Sequence, residues 1–180
     1  MSVASRARLF LSARRDAAVT ESPAPAPAPA SPARVLRQFR VVFNAVKSHF
    51  QQVEKQVGLG GAQVWALSVV DAQPGIGVSE LARAMDIHQT TASNLVKALV
   101  GRGLLAAQRA EDDRRAVRLH LLPPARDVLA TAPGPFAGVL PEALAGLDPE
   151  TLARLAEDLD RLIGQLRADP RAAGIPLADL

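Results

Sequence analysis

The stretch of residues 78–103, VSELARAMDIHQTTASNLVKALVGRG, constrains the fold of this chain more than any other. Its apolar side chains recur at the spacing of one helix face in two short runs, which are Val78, Leu81, Ala82 and Met85 and then Ala92, Leu95, Val96 and Leu99. Asp86 and Ile87 form a tight turn between the runs. Two short amphipathic helices joined in this way predict a helix-turn-helix.

The second predicted helix has a polar face opposite its apolar one. The side chains on this face are Thr90, Ser93, Asn94 and Lys97, with Gln89 at the N-terminal end. Amides and hydroxyls can hydrogen-bond to base edges, lysine can meet a phosphate, and the first turns of such a helix reach deepest into a major groove. An ordinary solvated surface is the alternative interpretation, because any surface helix is polar outside.

A densely charged turn follows, RAEDDRRAVRLHL at residues 109–121. Residues 104–110 predict one strand and the alternating residues 116–122 predict a second, with EDDRR at the hairpin tip. A hairpin directly after a helix-turn-helix predicts a wing, whose tip can place an arginine in the negative potential of a minor groove. We expect Asp113 to pair with an arginine so that Arg115 is held in position. A soluble tip that binds nothing is the alternative.

Two narrow apolar stripes lie near the ends of the predicted domain. The first is on a helix of residues 35–57, which glycines end from Gly58 onward, and consists of Phe39, Phe43, Val46, Phe50, Val53 and Val57. The second is on a helix that begins at Asp148-Pro149-Glu150 and consists of Leu152, Leu155, Leu159, Leu162 and Leu166. Packing within the monomer is one interpretation. Interlocking with a second subunit is the one we favour, since narrow seams near chain ends need partners.

Length and charge fit one domain that meets a polyanion. The chain has 180 residues, 48% of them hydrophobic, which is enough for one domain with a core. Its net charge is only +3, but the residues before Gly60 carry nine basic side chains against three acidic ones. Residues 141–170 carry seven acidic side chains against three basic ones. Such asymmetry fits one end of the molecule facing a polyanion.

Several functional classes lack support in the sequence. The absence of cysteine excludes disulfides and thiolate metal sites. The three histidines, His49, His88 and His120, lack the spacing of metal ligands. No phosphate loop, dinucleotide fingerprint or catalytic motif is present, so we expect neither an enzyme nor a cofactor. No apolar run reaches the roughly 18 residues of a membrane span, and a cytoplasmic location is expected.

Both ends of the chain are predicted to be tails. The segment PAPAPAPASP at residues 23–32 favours polyproline II and is typical of a semi-rigid linker. The first 20 residues loosely resemble an organellar transit segment, although a frayed tail is the favoured interpretation. We therefore divide the chain into an N-terminal tail (1–33), a domain (34–168) and a C-terminal tail (169–180).

The motifs SELARAMDIHQTTASNLVKALVGRGLL (79–105) and DDRRAVRLHL (112–121) resemble those of the MarR family of bacterial winged-helix transcriptional regulators. The resemblance covers roughly residues 34–167. It implies a mainly α fold with a small β-wing (α+β) and a DNA-binding lobe at about 62–122. It also implies a homodimer, built by helices at about 35–57 and 124–167, that binds a palindromic operator in double-stranded DNA, most simply as a repressor.

The resemblance also implies which residues contact DNA. In the recognition helix these are Gln89, Thr90, Thr91, Ser93, Asn94 and Lys97. In the wing they are Asp113, Arg114 and Arg115. A winged helix that contacts only proteins is the alternative function.

The sequence departs from the family pattern at two places. His88 stands where a serine or threonine usually caps the recognition helix. The helix after the wing contains Pro133, Pro135 and Pro141, and each proline removes a helical hydrogen bond. We therefore expect that helix to be kinked or broken around residues 133–136.

Many members of the family release DNA when a small aromatic acid or phenol binds between the dimer base and the DNA-binding lobe. The candidates for such an effector pocket are Phe43, His49, Trp65 and Arg126, because aromatic walls beside a cationic or hydrogen-bonding group suit an aromatic carboxylate. Phe43 and Trp65 as plain core residues are the alternative.

Overall fold

The computed structural model describes residues 31–109 and 117–179. In these ranges the chain forms a mainly α fold with one antiparallel pair of strands, as the sequence predicts. The elements, in chain order, are α1 (Pro32–Val57), α2 (Gly61–Ala72), α3 (Val78–Ala84), α4 (Gln89–Gly101), β1 (Leu105–Arg109), β2 (Val117–Leu121), α5 (Pro123–Thr131), α6 (Val139–Ala145) and α7 (Pro149–Leu166). Two 3₁₀ helices follow, Pro170–Gly174 and Leu177–Asp179.

Helix α1 begins slightly earlier than the sequence predicts. The hydroxyl of Ser31 accepts a hydrogen bond from the Arg34 backbone N–H (3.3 Å), and Pro32 occupies the first helical turn. The last residues of the predicted linker therefore belong to the helix and its cap. Gly58, with φ of 68°, ends the helix as expected. The rest of the predicted N-terminal tail, residues 1–30, lies outside the described residues.

The core lies where the helix-turn-helix packs against α2 and the strands. Leu67, Leu81, Leu99 and Leu119 come from α2, α3, α4 and β2, and each has 0% of its surface exposed. Both apolar runs of the helix-turn-helix, which the spacing predicts to be one face each, contribute buried residues. Burial of these side chains fixes how α3, α4 and the strands lie relative to one another.

The segment after the wing is broken, as its prolines predict. Helix α5 ends at Thr131, and the chain passes through Pro133 and Pro135 before α6 begins at Val139. Pro141 lies in the first turn of α6, where a backbone N–H would have no helical partner, so the helix tolerates it. The predicted dimerisation region at 124–167 therefore consists of three helices, α5, α6 and α7.

Helix α7 presents an apolar face that the monomer does not cover. Asp148 caps it by accepting a hydrogen bond from the Thr151 backbone N–H (2.9 Å), which lowers the pKa of the Asp148 carboxyl. None of its residues is buried. Leu152, Leu162 and Leu166 have 41%, 38% and 67% of their surfaces exposed. The leucine seam read from the sequence thus faces outward.

The C-terminal segment is folded back onto the domain, which the sequence analysis did not foresee. We predicted a tail at residues 169–180, yet both 3₁₀ helices lie in this range. Pro176 is buried, and Ala178 packs against the hydrophobic core. The segment is short and has no helical period, so no local pattern marks it as packed.

Within residues 31–109 and 117–179, no helix is both long and apolar enough to cross a membrane.

Candidate nucleic-acid interface

Helix α4 divides into a buried side and an open side, as expected for a recognition helix. Its buried residues are Ala92, Leu95, Val96 and Leu99. Gln89, Thr90, Asn94 and Lys97 are exposed, while Thr91 and Ser93 are half-buried. The open side therefore holds most of the side chains for which the sequence predicts DNA contacts.

The polar side chains of this face are not used inside the protein. In the part of the chain that the structure describes, none of the six predicted contact residues makes a side-chain hydrogen bond or ion pair. Donors and acceptors without a protein partner remain available to base edges and phosphates. Burial of the opposite side holds the backbone that carries them.

The turn before α4 fixes where the helix begins. Asp86 adopts a left-handed conformation (φ 50°), and the Ile87 backbone N–H donates to the Ala82 carbonyl oxygen over 3.0 Å. The side chain of Ile87 is half-buried against the core. These contacts join α4 tightly to α3, as a helix-turn-helix requires.

Both ends of α4 are also tied to distant parts of the chain. At the C-terminal end, Arg102 donates from Nη2 to the Gly58 carbonyl oxygen (2.9 Å) and from Nη1 to Gln63 Oε1 (3.4 Å). At the N-terminal end, His88 Nε2 lies 2.8 Å from the Arg171 carbonyl oxygen. Sequence reasoning missed these three contacts, because each joins residues far apart in the chain.

The base of the wing is anchored to the helix-turn-helix. Strands β1 and β2 pair antiparallel, with Leu105 opposite Leu121 and Arg109 opposite Val117. The Gly75 N–H donates to the Leu119 carbonyl oxygen (2.9 Å), which extends the hydrogen bonding to the loop before α3. The hairpin is therefore held beside the two helices, in the position of a wing.

The tip of the wing lies outside the described residues. Asp113, Arg114 and Arg115 all fall in it, so their predicted role stays a prediction. The strands that carry the tip agree with the predicted alternation, since Leu119 is buried while Val117 and Leu121 are half-buried.

A further arginine near the wing was not among the predicted contacts. Arg118 projects from the exposed side of β2, and its Nη1 donates to the Gly75 carbonyl oxygen (3.3 Å). The same Nη1 lies 4.0 Å from Glu80 Oε2. A polar groove here is lined by Glu80, Arg83, Gln89 and Arg118, among others. The wing and the recognition helix thus share a surface with cationic side chains.

The four predicted effector residues do not meet in one cavity. Trp65 lines a cavity of about 370 Å³, together with Val46 and Phe50. Phe43, which is 56% exposed and so not a core residue, lines a neighbouring cavity of about 350 Å³. Val46 and Phe50 belong to both cavities. Trp65 is half-buried and packs against the core.

The other two candidates are placed differently. His49 is buried, and its Nε2 lies 3.0 Å from the Pro135 carbonyl oxygen, so the ring is already engaged with the segment between α5 and α6. Arg126 is exposed on α5 and lines neither cavity. Among the described residues that line the Trp65 cavity, Asp86 is the only ionisable one, and most of the others are apolar.

Comparisons with known proteins agree with this architecture. A family model described as the MarR family matches residues 57–116. A protein of Thauera aromatica, provisionally assigned as a transcriptional regulatory protein for the hcr operon, is 31% identical over 102 residues. That match covers 56% of this chain, and the chain spans 57% of the relative's length.

The chain is also similar to solved structures. A crystal structure of a MepR-like protein complexed with pseudoligands has a TM-score of 0.51 and 18% identity, and the match covers 74% of this chain and 92% of that one. Bordetella bronchiseptica BpsR, solved in a study of its regulation by 6-hydroxynicotinic acid, has a TM-score of 0.49 and 25% identity, with coverage of 79% and 100%.

The matched residues 57–116 contain the helix-turn-helix and enter the wing, and the structure around them is a winged helix. Over these residues the chain matches the MarR family.

Proposed function

We propose that this protein is a sequence-specific, DNA-binding transcriptional regulator. The observation that carries the proposal is the polar face of α4, whose six predicted contact side chains make no hydrogen bond or ion pair within the described parts of the chain. The apolar side of α4 packs on the core, and its other side presents amides, hydroxyls and a lysine next to the wing. Such a helix is suited to binding in a major groove. The proposed base contacts are Gln89, Thr90, Thr91, Ser93 and Asn94, with Lys97 at a phosphate.

The wing supplies the second part of the proposed interface. Its tip contains Asp113, Arg114 and Arg115, and the firm anchoring of β2 to the loop at Gly75 supports a tip held beside the DNA. We propose that Arg115 enters a minor groove. Arg115→Ala should then weaken operator binding by about 1–3 kcal/mol, as is typical of one groove contact. Full-strength binding by this variant would remove the wing from the interface.

We further propose that the protein acts as a homodimer. The apolar face of α7 is open, and α1 also exposes Val42 and Phe43, which have 40% and 56% of their surfaces accessible. Apolar faces on helices near both ends of the domain can cover each other when two copies meet about a two-fold axis. A dimer would carry two recognition helices, and its operator would be an inverted repeat.

Selection of bound duplexes from a random DNA pool tests this proposal. The full chain is expected to enrich an inverted repeat, and the affinity for it should fall steeply as salt rises, because phosphate contacts release counterions. Repression then follows if the recovered site overlaps a promoter and the protein blocks transcription from it in vitro. No enrichment, together with weak affinity indifferent to salt, would contradict the proposal and favour the protein-contact alternative.

We propose that a small effector binds in the cavity beside Trp65. Its apolar lining suits a compact aromatic ligand. Of the two classes predicted from the sequence, a phenol fits better than an aromatic acid, because Asp86 is the only ionisable residue among the described lining residues and Arg126 lies elsewhere. An anion buried beside a carboxylate would have no counter-charge.

Fluorescence of Trp65 provides a direct measurement, since it is the only tryptophan in the chain. Titration with phenol should change the emission, whereas titration with benzoate should change it much less. Ala137→Leu, which adds bulk to the cavity lining, should reduce the response to phenol. Equal responses to both compounds, or responses that Ala137→Leu does not alter, would argue against this site.

A further inference from the structure

The C-terminal segment, defined as residues 169–178, reaches the start of the recognition helix. It follows α7, which ends at Leu166 and is capped by Arg167 in a left-handed conformation (φ 51°). The His88 backbone N–H donates to the Gly174 carbonyl oxygen (3.2 Å), and His88 Nε2 lies 2.8 Å from the Arg171 carbonyl oxygen. Because a carbonyl oxygen only accepts, Nε2 must carry the proton in this contact. One residue is thus bound twice by the segment.

The fit between the segment and His88 is close. A Cβ placed on Gly174 would lie 2.6 Å from His88 Nε2, well inside van der Waals contact. Further along, Pro176 is buried and Ala178 packs on the core. The segment therefore contacts His88 in its first part and the hydrophobic core in its last part. Glycine at 174 is therefore required by space rather than by its backbone angle.

The segment also has internal structure that favours this conformation. Asp169 accepts a hydrogen bond from the Arg171 backbone N–H (3.0 Å) and three from the Arg171 guanidinium, the shortest from Nη2 (2.7 Å). The guanidinium contact lowers the pKa of the Asp169 carboxyl. The Ile175 N–H donates to the Ala172 carbonyl oxygen (3.1 Å). These bonds restrict the conformations that the segment adopts before it meets His88.

Helix α4 lacks the usual means of stabilising its own start. His88 is its N-cap residue, yet its side chain accepts no hydrogen bond from the helix, and no acidic residue lies in the first turn. The first backbone N–H groups of a helix are normally satisfied by a capping side chain. The ring that stands at the capping position is instead engaged by the C-terminal segment.

We propose that the C-terminal segment positions the start of the recognition helix, with His88 and Gly174 as the positioning residues. The segment fixes the position of the N-cap residue itself, because its carbonyl oxygens accept from the backbone N–H and the ring of His88. It also forms part of the wall of the Trp65 cavity, through Ala173, Ile175 and Leu177 among others, so one short element contacts both regions. The effect on operator affinity rests on the proposed DNA-binding function, whereas the effect on α4 does not.

Hydrogen exchange of backbone amides tests the proposal without DNA. Gly174→Ala should speed the exchange of the His88 amide, which donates to the Gly174 carbonyl oxygen, about fivefold to tenfold, the effect of losing roughly one hydrogen bond. Gly101→Ala is the matched control, because no heavy atom outside its own helix and neighbours lies within 4 Å of a Cβ there. If Gly174→Ala fails to fold, a chain ending at Ala168 serves instead.

Operator affinity and a rescue variant complete the test. We expect Gly174→Ala and His88→Ala to weaken binding to the selected duplex, and His88→Ser to recover most of the affinity, since serine can cap α4 itself. Equal losses for the alanine and serine variants would mean that His88 does not act through the helix start. Unchanged exchange in Gly174→Ala, or faster exchange with unchanged affinity, would also overturn the proposal. If the wild-type chain binds no duplex, the proposed function fails, and exchange alone decides whether the segment holds α4.

Discussion

The guanidinium of Arg102 joins the end of the recognition helix to the end of α1, because its Nη2 donates to the Gly58 carbonyl oxygen over 2.9 Å. Gly58 follows the last turn of α1, where helix carbonyl groups lack helical partners. One arginine thus satisfies a free carbonyl group and ties α4 to the helix proposed to form the dimer base. With His88 at the other end, the helix is held at both termini.

We predict that Arg102→Ala lowers the free energy of unfolding by about 1 kcal/mol, because a hydrogen bond from a charged donor is lost at an exposed site. Chemical denaturation measures this directly. Lys97→Ala is the matched control, since Lys97 lies in the same helix, is exposed and has no hydrogen-bond partner in residues 31–109 or 117–179. Equal stability of the two variants would mean that the Arg102 contact contributes nothing.

For DNA binding, we predict that Asn94→Ala changes the sequence preference, whereas Lys97→Ala changes only the overall affinity. Loss of the Asn94 amide should cost about 1–3 kcal/mol on the selected operator and relax the preference at one base pair. Loss of Lys97 should weaken binding to all sequences alike and reduce the salt dependence by about one phosphate contact. Titrations of each variant with operator and with random duplex, at several salt concentrations, distinguish the two. Identical behaviour on both duplexes would contradict the assignment of Asn94 to base reading.

The open seam of α7 gives a prediction about assembly. Leu166 is 67% exposed in the monomer, and in the proposed dimer it would be covered. Leu166→Asp should therefore shift the protein from dimer to monomer in sedimentation experiments, because a buried charge without a partner is costly. Gln165→Asp adds the same charge one residue away in the same helix turn. If the two variants sediment alike, the seam is not the dimer contact.

The cap of α7 gives a prediction about pH. The Thr151 backbone hydrogen bond lowers the pKa of Asp148 below its ordinary value of 3.8. A carboxyl with a lowered pKa in the folded state stabilises fully above its ordinary pKa, and that stabilisation is lost as pH falls through the lowered value. Asp148→Ala should therefore lower Tm at neutral pH, with the difference from wild type shrinking in acid.

Asp148→Asn separates the cap from its charge. Asparagine caps helices about as well as aspartate, so this variant should remain close to wild type in Tm at neutral pH and should lose the acid dependence. Thermal unfolding followed by circular dichroism from neutral to strongly acidic pH compares the three proteins. A loss in Asp148→Asn as large as in Asp148→Ala would show that charge, rather than the hydrogen bond, supports the helix.

Features with a local signal could be predicted from the sequence. The two apolar runs of the helix-turn-helix follow the helical period, and all four apolar residues of the second run are buried. The alternation in β2 identified the wing strand, and the prolines identified the break after α5. Each of these signals comes from a short stretch of sequence, in which the spacing of residues alone decides which side chains share a face.

Other features depend on residues that only the fold brings together. The sequence shows that His88 replaces the usual serine or threonine cap. It does not show that His88 contacts Arg171, which is 83 residues away. Similarly, the family resemblance predicted that Phe43 and Trp65 share a pocket, whereas in the structure they line two neighbouring cavities that both include Val46 and Phe50.

The sequence by itself therefore determined the helix-turn-helix, the strands after it, the break after α5 and the polar face of α4, because periodicity and turn chemistry act between near neighbours. The tertiary structure alone decided how α4 is held at its two ends and that the C-terminal segment lies against its start. Those contacts follow from how the helices pack around one core. The segments that make them are short and have no periodic pattern, so the contacts cannot be predicted from the sequence.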